Sequence, residues 1–408
     1  MTQITSWTKS TIGECFDTQL GKMLNNSKQI GTDSIPYLRN INVQWGSLDL
    51  TDVKSMDIAE DEREKFTAMP GDLLVCEGGA VGRCAIWHGP QSIGIQNALH
   101  RIRSTGKVEL AYLRYYLEYL SFNGTIATHA SGVTIKHLTQ EKLRKLPIAY
   151  PDIANQQRIV ATLEDHLSRL DKALEEVKSA KQKAVVFKRS YLLSVTEGSI
   201  DILGSSAIGW DSKPLGNLGK WRGGGTPSKR ESAYWIGGTI PWLTAKDMKR
   251  FAIDTTEDCI TEAGLNGSSA NLLPANSVVI VARSGILEHT LPVALTQVPV
   301  TINQDLKALV CTPEINPRWV AYSLIAQGQA VLEQCRKAGT TVANLNFEEF
   351  LKFEIKVPAT DVQLALVETI EATMHALDSV FSTISQTESH IAELRRAVLQ
   401  SAFNGKLT

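Results

Sequence analysis

A chain that carries the same pattern twice at a fixed spacing is constrained to fold as two copies of one body in series, and this sequence is such a chain. "ASGVTIKHLTQEKLRKLPIAYP" (130–151) aligns with "KAGTTVANLNFEEFLKFEIKVP" (337–358). Gly132 pairs with Gly339, Thr134 with Thr341, Leu138 with Leu345, Ile148 with Ile355 and Pro151 with Pro358, always 207 residues apart. The offset continues without insertion to Gly198 and Gly405. Upstream it drifts, from 203 at Trp7 and Trp210, to 205 between "IPYL" and "IPWL", 204 at Pro70 and Pro274, and 208 at Gln96 and Gln304. Each half is therefore a length-variable part followed by one of fixed length. Loops absorb insertions, whereas a rigid spacer cannot change length without moving whatever it holds apart.

The fixed-length parts read as long helices. Apolar residues recur at steps of four and three: Leu163, Leu167, Leu170, Leu174 and Val177, then Ala184, Tyr191 and Val195. The second copy keeps the phase with Ile370, Met374, Leu377, Phe381 and Ile384, then Ile391, Val398 and Ala402. Such a stripe has to be buried against a partner, and the other copy is the obvious one. Pro151 and Pro358 precede the two runs, and Gly198 and Gly405 stand where a helix would stop. A continuous helix over 153–197 would be about 67 Å long at 1.5 Å per residue. The seam is interrupted at Lys181 and Lys188 in one copy and at Glu388 and Arg395 in the other. Snorkelling of long side chains at the edge of the pair is the reading preferred over a register-fixing ion pair.

The variable parts show short β-like runs such as "GDLLVC", "SVVIVA" and "LKALV", punctuated by Gly and Pro, with helical stretches at 108–120 and 317–335. The expected fold is α+β: two tandem, pseudo-two-fold-related α/β domains separated by two long antiparallel helices that form a coiled-coil-like spacer. The first domain is placed at 1–151 and the first long helix at 152–198. A Gly- and Ser-rich linker at 199–215 runs into a second domain at 206–358, and the second long helix occupies 359–408.

No catalytic constellation survives inspection. "WRGGGTPSKR" does not meet the phosphate-loop spacing, because the fifth residue after Gly223 is Ser228. Neither a cofactor-binding glycine motif nor the acidic, proline-containing tetrapeptide of a methyltransferase is present. "EIK" at Glu354–Lys356 imitates the end of a nuclease motif, but Pro147 and Ala149 occupy the matching positions, so it reads as strand alternation. The eight histidines are dispersed and the six cysteines form no CxxC pair, which fits buried small hydrophobes in a reducing compartment and no metal site. No stretch approaches the roughly 18 apolar residues needed to span a bilayer, and the start carries no leader-like apolar run, so the cytoplasm is expected.

A net charge of -1 excludes a generally basic nucleic-acid coat but not a local patch. Residues 216–250 hold Lys220, Arg222, Lys229, Arg230, Lys246, Lys249 and Arg250 against Glu231 and Asp247, interleaved with Trp221, Tyr234, Trp235 and Trp242. Cations supply affinity for phosphates, and side chains with paired donors and acceptors read base edges. Trp242 is assigned to the core. The candidate DNA contacts of the second domain are Arg222, Gly224, Thr226, Ser228, Lys229, Lys246, Lys249, Arg283, Ser284, Gln304 and Asp305. Glycine there is read as allowing backbone amides close to phosphates. In the first domain the candidates are Arg39, Asn40, Asn42, Gln44, Arg83, Gln96, Asn97 and Arg101. The acidic stretch 49–64 is expected to face away from DNA or toward a protein partner.

Two variable domains each followed by a helical spacer, the second spacer ending in "LRRAVLQSAFNGKL", with "GGGTPS", "IPWL", "ITEAGL", "LLPANSVVIVARSG" and "INQD" in order, closely resemble the specificity subunit of type I restriction-modification enzymes. The first variable domain departs from the pattern, lacking "GGTPS" and carrying "GIQN" in place of "INQD". The resemblance implies that each variable domain reads one half of a split DNA sequence. It implies that the paired helices set the spacing and dock two methyltransferase subunits, with restriction and translocase subunits joining that core. The chain itself would be non-catalytic and hold no cofactor. S-adenosylmethionine, ATP and magnesium would belong to the partners, and no membrane is involved. The alternatives are a specificity subunit of a modification-only or phage-defence methyltransferase, and a two-domain coiled-coil scaffold that does not bind DNA.

Overall fold

The computed structural model describes residues 7–24, 31, 33–132, 136–200, 210–337 and 342–406. Thr134, Gly339 and Thr341 of the repeat, and 201–209 of the expected linker, lie outside the described residues. The chain divides into two compact units, one formed by Met1–Lys178 with Ser385–Thr408 and the other by Ser179–Ile384. Each unit holds one α/β domain, one end of a 44-residue helix (Ile153–Thr196) and one end of a second 44-residue helix (Thr360–Phe403).

In the first unit, Phe16–Leu20, Leu99–Ser104, Leu73–Cys76 and Cys84–Ile86 form an antiparallel sheet in that spatial order. A second sheet runs Lys54–Asp57, Ser34–Leu38, Ile93–Ile95, Thr67–Ala68, with the central pair parallel. Thr8–Thr11 pairs with Pro147–Tyr150 and so brings the two ends of the domain together at the start of the long helix. In the second unit, Gly219–Gly223, Leu306–Cys311, Val278–Val281, Val293–Thr296 and Ala252–Ile253 form the larger sheet. Asp258–Ile260, Ile240–Leu243 and Thr301–Ile302 form the smaller one. Asp211–Pro214, inside the stretch read as linker, pairs with Glu354–Val357. The expected helix at 317–335 is two, Pro317–Ala326 and Gly328–Cys335, because Gln327 leaves helical geometry (ψ 10°). The register of the repeat is also corrected. The amide of Gln96 bonds the Leu38 carbonyl and that of Asn303 bonds the Leu243 carbonyl, both at 3.0 Å, so Gln96 matches Asn303 at 207 rather than Gln304 at 208.

The long helices end identically. Gly198 (φ 66°) and Gly405 (φ 70°) take the left-handed conformation. Ser199 N–H then reaches Ser194 O (2.8 Å) and Lys406 N–H reaches Ser401 O (2.9 Å), which satisfies a terminal carbonyl in each copy. One buried glutamine clasps each domain to its own long helix. Gln156 Oε1 accepts from Glu109 N–H (2.9 Å) while its Nε2 donates to Pro151 O (2.8 Å). Gln363 Oε1 accepts from Asn316 N–H and its Nε2 donates to Pro358 O, both at 2.8 Å. Beside the clasp, Tyr112 donates to Ala149 O and Trp319 Nε1 to Lys356 O, again 207 residues apart.

The seam closes within each unit. In the first, Leu163 and Leu167 are buried with Leu399, Ala402 and Phe403, whose ring sits 5.4 Å from Tyr112 and 5.0 Å from Tyr116. In the second, Ile370, Met374 and Leu377 are buried against Leu192, Val195 and Trp319. Full burial of one such side chain contributes about 1.5–3 kcal/mol. Ile384 is buried, while Leu170, Leu174, Val177 and Phe381 are half-buried; Leu170 and Leu174 line a cleft of about 510 Å³ in the first unit, and Leu192 and Met374 line one of about 520 Å³ in the second. At Arg395 the snorkelling expectation is overturned. Its guanidinium bonds both Glu118, which is 1% exposed, and Asp171, each at 2.8 Å. The physical reason is the buried carboxylate, which needs a counterion that a solvated arginine could not supply. Burial opposes the charge on Arg395, but the hydrogen bond it donates to Glu118 and the charges of Glu118 and Asp171 outweigh it and hold its pKa above the ordinary arginine value.

Candidate nucleic-acid interface

In both domains most of the candidate residues sit on loops; Arg101 lies within the strand Leu99–Ser104 and Arg222 within the strand Gly219–Gly223. The edge strand Phe16–Leu20 is followed by Gly21 in the first domain, and the edge strand Gly219–Gly223 by Gly224 in the second. A Cβ on Gly21 would stand 2.4 Å from Gln96 O, and one on Gly224 would stand 2.0 Å from Ile302 O. Both glycines are therefore demanded by close internal packing against the Ile93–Ile95 and Thr301–Ile302 strands and their following turns. At Gly224, where the sequence reading placed a close approach to phosphates, the close neighbour in the fold is the chain's own carbonyl. The first domain keeps the glycine despite lacking the longer motif.

In the second domain the loops converge. Thr226 Oγ1 donates to Gln304 Oε1, which joins the glycine loop to the 303–305 turn. The amides of Ala282 and Arg283 both bond Asp305 O, at 2.8 and 3.1 Å. Ser284 N–H bonds Ala343 O, while Ser284 Oγ caps the short helix Gly285–Glu288. Asp305 N–H bonds Asn303 Oδ1 (3.1 Å). Thr226, Arg283, Ser284, Gln304 and Asp305 thus form one cluster. Lys246 and Lys249 lie on the loop that follows Leu243, whose carbonyl holds Asn303. On the edge strand Trp221 packs its ring on Phe347 and Phe350, and the alternation leaves Lys220 and Arg222 exposed. Ser228 uses its carbonyl to accept from Trp235 Nε1 (3.1 Å), and Lys229 lies 6.0 Å over that ring. Trp242 is 4% exposed, its Nε1 donating to Gly225 O, as assigned from the sequence.

In the first domain several candidates are structural. Asn42, 2% exposed, accepts from Arg39 N–H through Oδ1 and donates to Asp49 O and Asp52 O through Nδ2. Arg39 is ion-paired to Asp52 at 2.7 Å. Arg101, 4% exposed, pairs with Asp17 at 2.6 Å and bonds Glu64 O. Burial and then the charge of Arg103 push its pKa down, with Asp17 and Asp72 pulling back. All three side chains are engaged by groups of their own domain. Asn40 Nδ2 bonds Gly78 O (2.6 Å), and Arg83 reaches Asn40 O (2.9 Å). Asn40 and Arg83 are half-buried, as are Gln44, Gln96 and Asn97 on their loops. The acidic stretch 49–64 also serves inside the domain. Asp52 holds Arg39, and Glu62 holds Lys22 at 2.5 Å, hydrogen bonds that keep both carboxyls below their ordinary pKa.

The sequence reading missed the Gln156 and Gln363 clasp. The signal was available, because glutamine recurs 207 residues on among neighbours that differ. Among the described residues no cluster of His, Cys, Asp and Glu could hold a metal ion, and no helix is long and apolar enough to cross a membrane.

The family model of the type I restriction modification DNA specificity domain matches residues 5–180 and again 207–391. The specificity subunit of the Escherichia coli type I restriction enzyme EcoR124I/EcoR124II is 34% identical over 295 residues, covering 71% of this chain and 68% of that protein. Among solved structures, a chain from a study of complex assembly and conformational transition in a type I restriction-modification system superposes with a TM-score of 0.78 at 16% identity, over 100% of both chains. The HsdS subunit of Thermoanaerobacter tengcongensis gives a TM-score of 0.57 at 17% identity over 100% of this chain and 98% of that one. At these identities the two likenesses are of fold. With both halves matched by the family model, the chain belongs to the type I restriction modification DNA specificity family.

Proposed function

We propose that this chain is the DNA-recognition subunit of a type I restriction-modification complex, reading a bipartite, asymmetric duplex target with one domain per half-site. The observation that carries this reading is a constant frame bearing different loops. The helix length, the glycine ends and the glutamine clasp are the same in both copies. The loop positions are not, since Arg283 of the second domain is matched by Gly78 in the first, each bridged to the repeat pair Asn344 and His137. Different side chains on equivalent loops read different base edges, so the two halves of the target differ in sequence.

The long helices set the separation of the half-sites and dock two methyltransferase subunits, which restriction and translocase subunits join. Half-sites about one duplex turn apart, roughly 34 Å, suit such a spacer. The chain itself positions DNA and catalyses nothing. S-adenosylmethionine, ATP and magnesium act in the partner subunits. The test is to express the chain with a methyltransferase partner and sequence the methylated positions. One asymmetric split motif is expected, and a continuous or palindromic motif, or no methylation dependent on this chain, would overturn the reading.

A further inference from the structure

The two domains treat their cations in opposite ways. In the first, Arg39 is held by Asp52 (2.7 Å), Lys22 by Glu62 (2.5 Å), Arg101 by Asp17 (2.6 Å) and Arg103 by Asp72 (2.7 Å), while Arg83 is half-buried with its guanidinium on the Asn40 carbonyl (2.9 Å). Apart from the half-buried Arg83, the candidate side chains on its loops are neutral, namely Asn40, Gln44, Gln96 and Asn97, with Gly78 where the second domain has arginine. In the second domain Arg222, Lys249 and Arg283 are exposed, and no ion pair engages them among the described residues. Lys246 approaches Glu257 only at 3.9 Å, with both side chains mostly exposed, a geometry worth little in water.

A cation contributes salt-dependent affinity by displacing condensed counterions from a phosphate, and one already held by a carboxylate must first give up that bond. We infer that DNA is gripped asymmetrically: the second domain supplies most of the phosphate-backbone affinity through Arg222, Lys249 and Arg283, while the first adds base discrimination through neutral amides and little electrostatic affinity. This rests on the DNA-reading function proposed above. Its consequence is an order of engagement, in which the second half-site is bound first and the first half-site is then tested for sequence.

The experiment is the salt dependence of duplex binding by the full chain assembled with its methyltransferase subunits, on a target carrying both half-sites. Removing one cation from a phosphate should lower the slope of log K against log salt by about 0.9. Replacing Arg222, Lys249 and Arg283 together by Ala should therefore lower it by about 2.7. Lys22→Met with Arg39→Met, at equivalent loops of the first domain, should leave the slope within about 0.5 of the parent, a tolerance of roughly half a phosphate. Asn40→Ala or Asn97→Ala should change base preference at one half-site without changing the slope, which separates an altered reading surface from misfolding. Equal slope decreases from the two sets of cation variants would overturn the asymmetry while leaving DNA recognition standing. Absence of any sequence-dependent binding by the unaltered complex would instead remove the reading on which the inference depends.

Discussion

Replacing the clasp glutamines by leucine keeps most of their volume and removes their hydrogen bonds, so it isolates what the amide does. Gln363 is 1% exposed and Gln156 is fully buried. Gln363→Leu deletes the bonds to Asn316 N–H and Pro358 O at 2.8 Å, and a weaker one to Glu314 O at 3.2 Å. Gln156→Leu deletes those to Glu109 N–H at 2.9 Å and Pro151 O at 2.8 Å. Each substitution strands a backbone donor and a backbone acceptor beside a buried side chain, at about 1–3 kcal/mol per group left without a partner. Allowing for partial access of water to the helix start, the expected cost is about 3 kcal/mol in each copy. For a cooperative unit of about 200 residues that is a fall in Tm of roughly 6–12 °C. The assay is calorimetric unfolding of the full chain, with hydrogen exchange at the first turn of each long helix to assign the destabilisation to its unit. The two copies serve as replicates of one experiment and should respond alike. A change below about 2 °C in both variants, well inside what a surface substitution produces, would refute the argument that these amides fix each domain on its helix.

Arg395→Ala should cost about 2–3 kcal/mol, less than for a fully buried pair because the arginine side chain is 22% and Asp171 63% exposed. Glu118→Leu combined with Arg395→Met should recover at least half of that stability, since the repeat places Ile325 at the matching position; strictly additive effects in thermal denaturation would show that the pair is not coupled. Gly224→Ala should destabilise the second domain, whereas Gly223→Ala, whose Cβ would meet only the flexible Lys307 Nζ at 3.0 Å, should be tolerated. Equal melting shifts for the two would contradict close packing as the reason for Gly224. His100 is fully buried, and burial lowers its pKa to about 4 from an ordinary 6.5. A depressed folded-state pKa means that this stability is present above about pH 6.5 and lost as pH falls toward 4, on the order of 3 kcal/mol. Urea unfolding at pH 7 and pH 4.5 should show a flatter pH dependence for His100→Gln than for the parent, and identical pH slopes would show that His100 does not set the acid sensitivity.

The frame of this molecule was legible because it is written in periodicity. Leu163 and Ile370 declare a helix face, and Gly198 and Gly405 its end, by spacing alone. The loops were less legible because their chemistry depends on which acceptor folds back on them. Arg39, Asn42 and Arg101 look like DNA contacts by residue type, and only the placement of Asp52, Asp49 and Asp17 shows that they are spent inside the domain. At Gly224 a close approach of backbone leaves the same mark in sequence whether the neighbour is a phosphate or the chain's own carbonyl. Arg395 was misread for a related cause. Its partner Glu118 lies 277 positions away, beyond any helical pattern.

The proposed role of the spacer as a ruler is open to a direct test. Val177 and Ile384 are matched by the repeat and lie beside the boundaries at which both long helices pass from one unit to the other. Inserting one heptad after each keeps the phase of the seam and adds about 10 Å, or about three base pairs of duplex. Sequencing the positions methylated in cells carrying the altered subunit should then return the same two half-sites with about three more unread base pairs between them. An unchanged gap, in a subunit that still directs methylation, would contradict it.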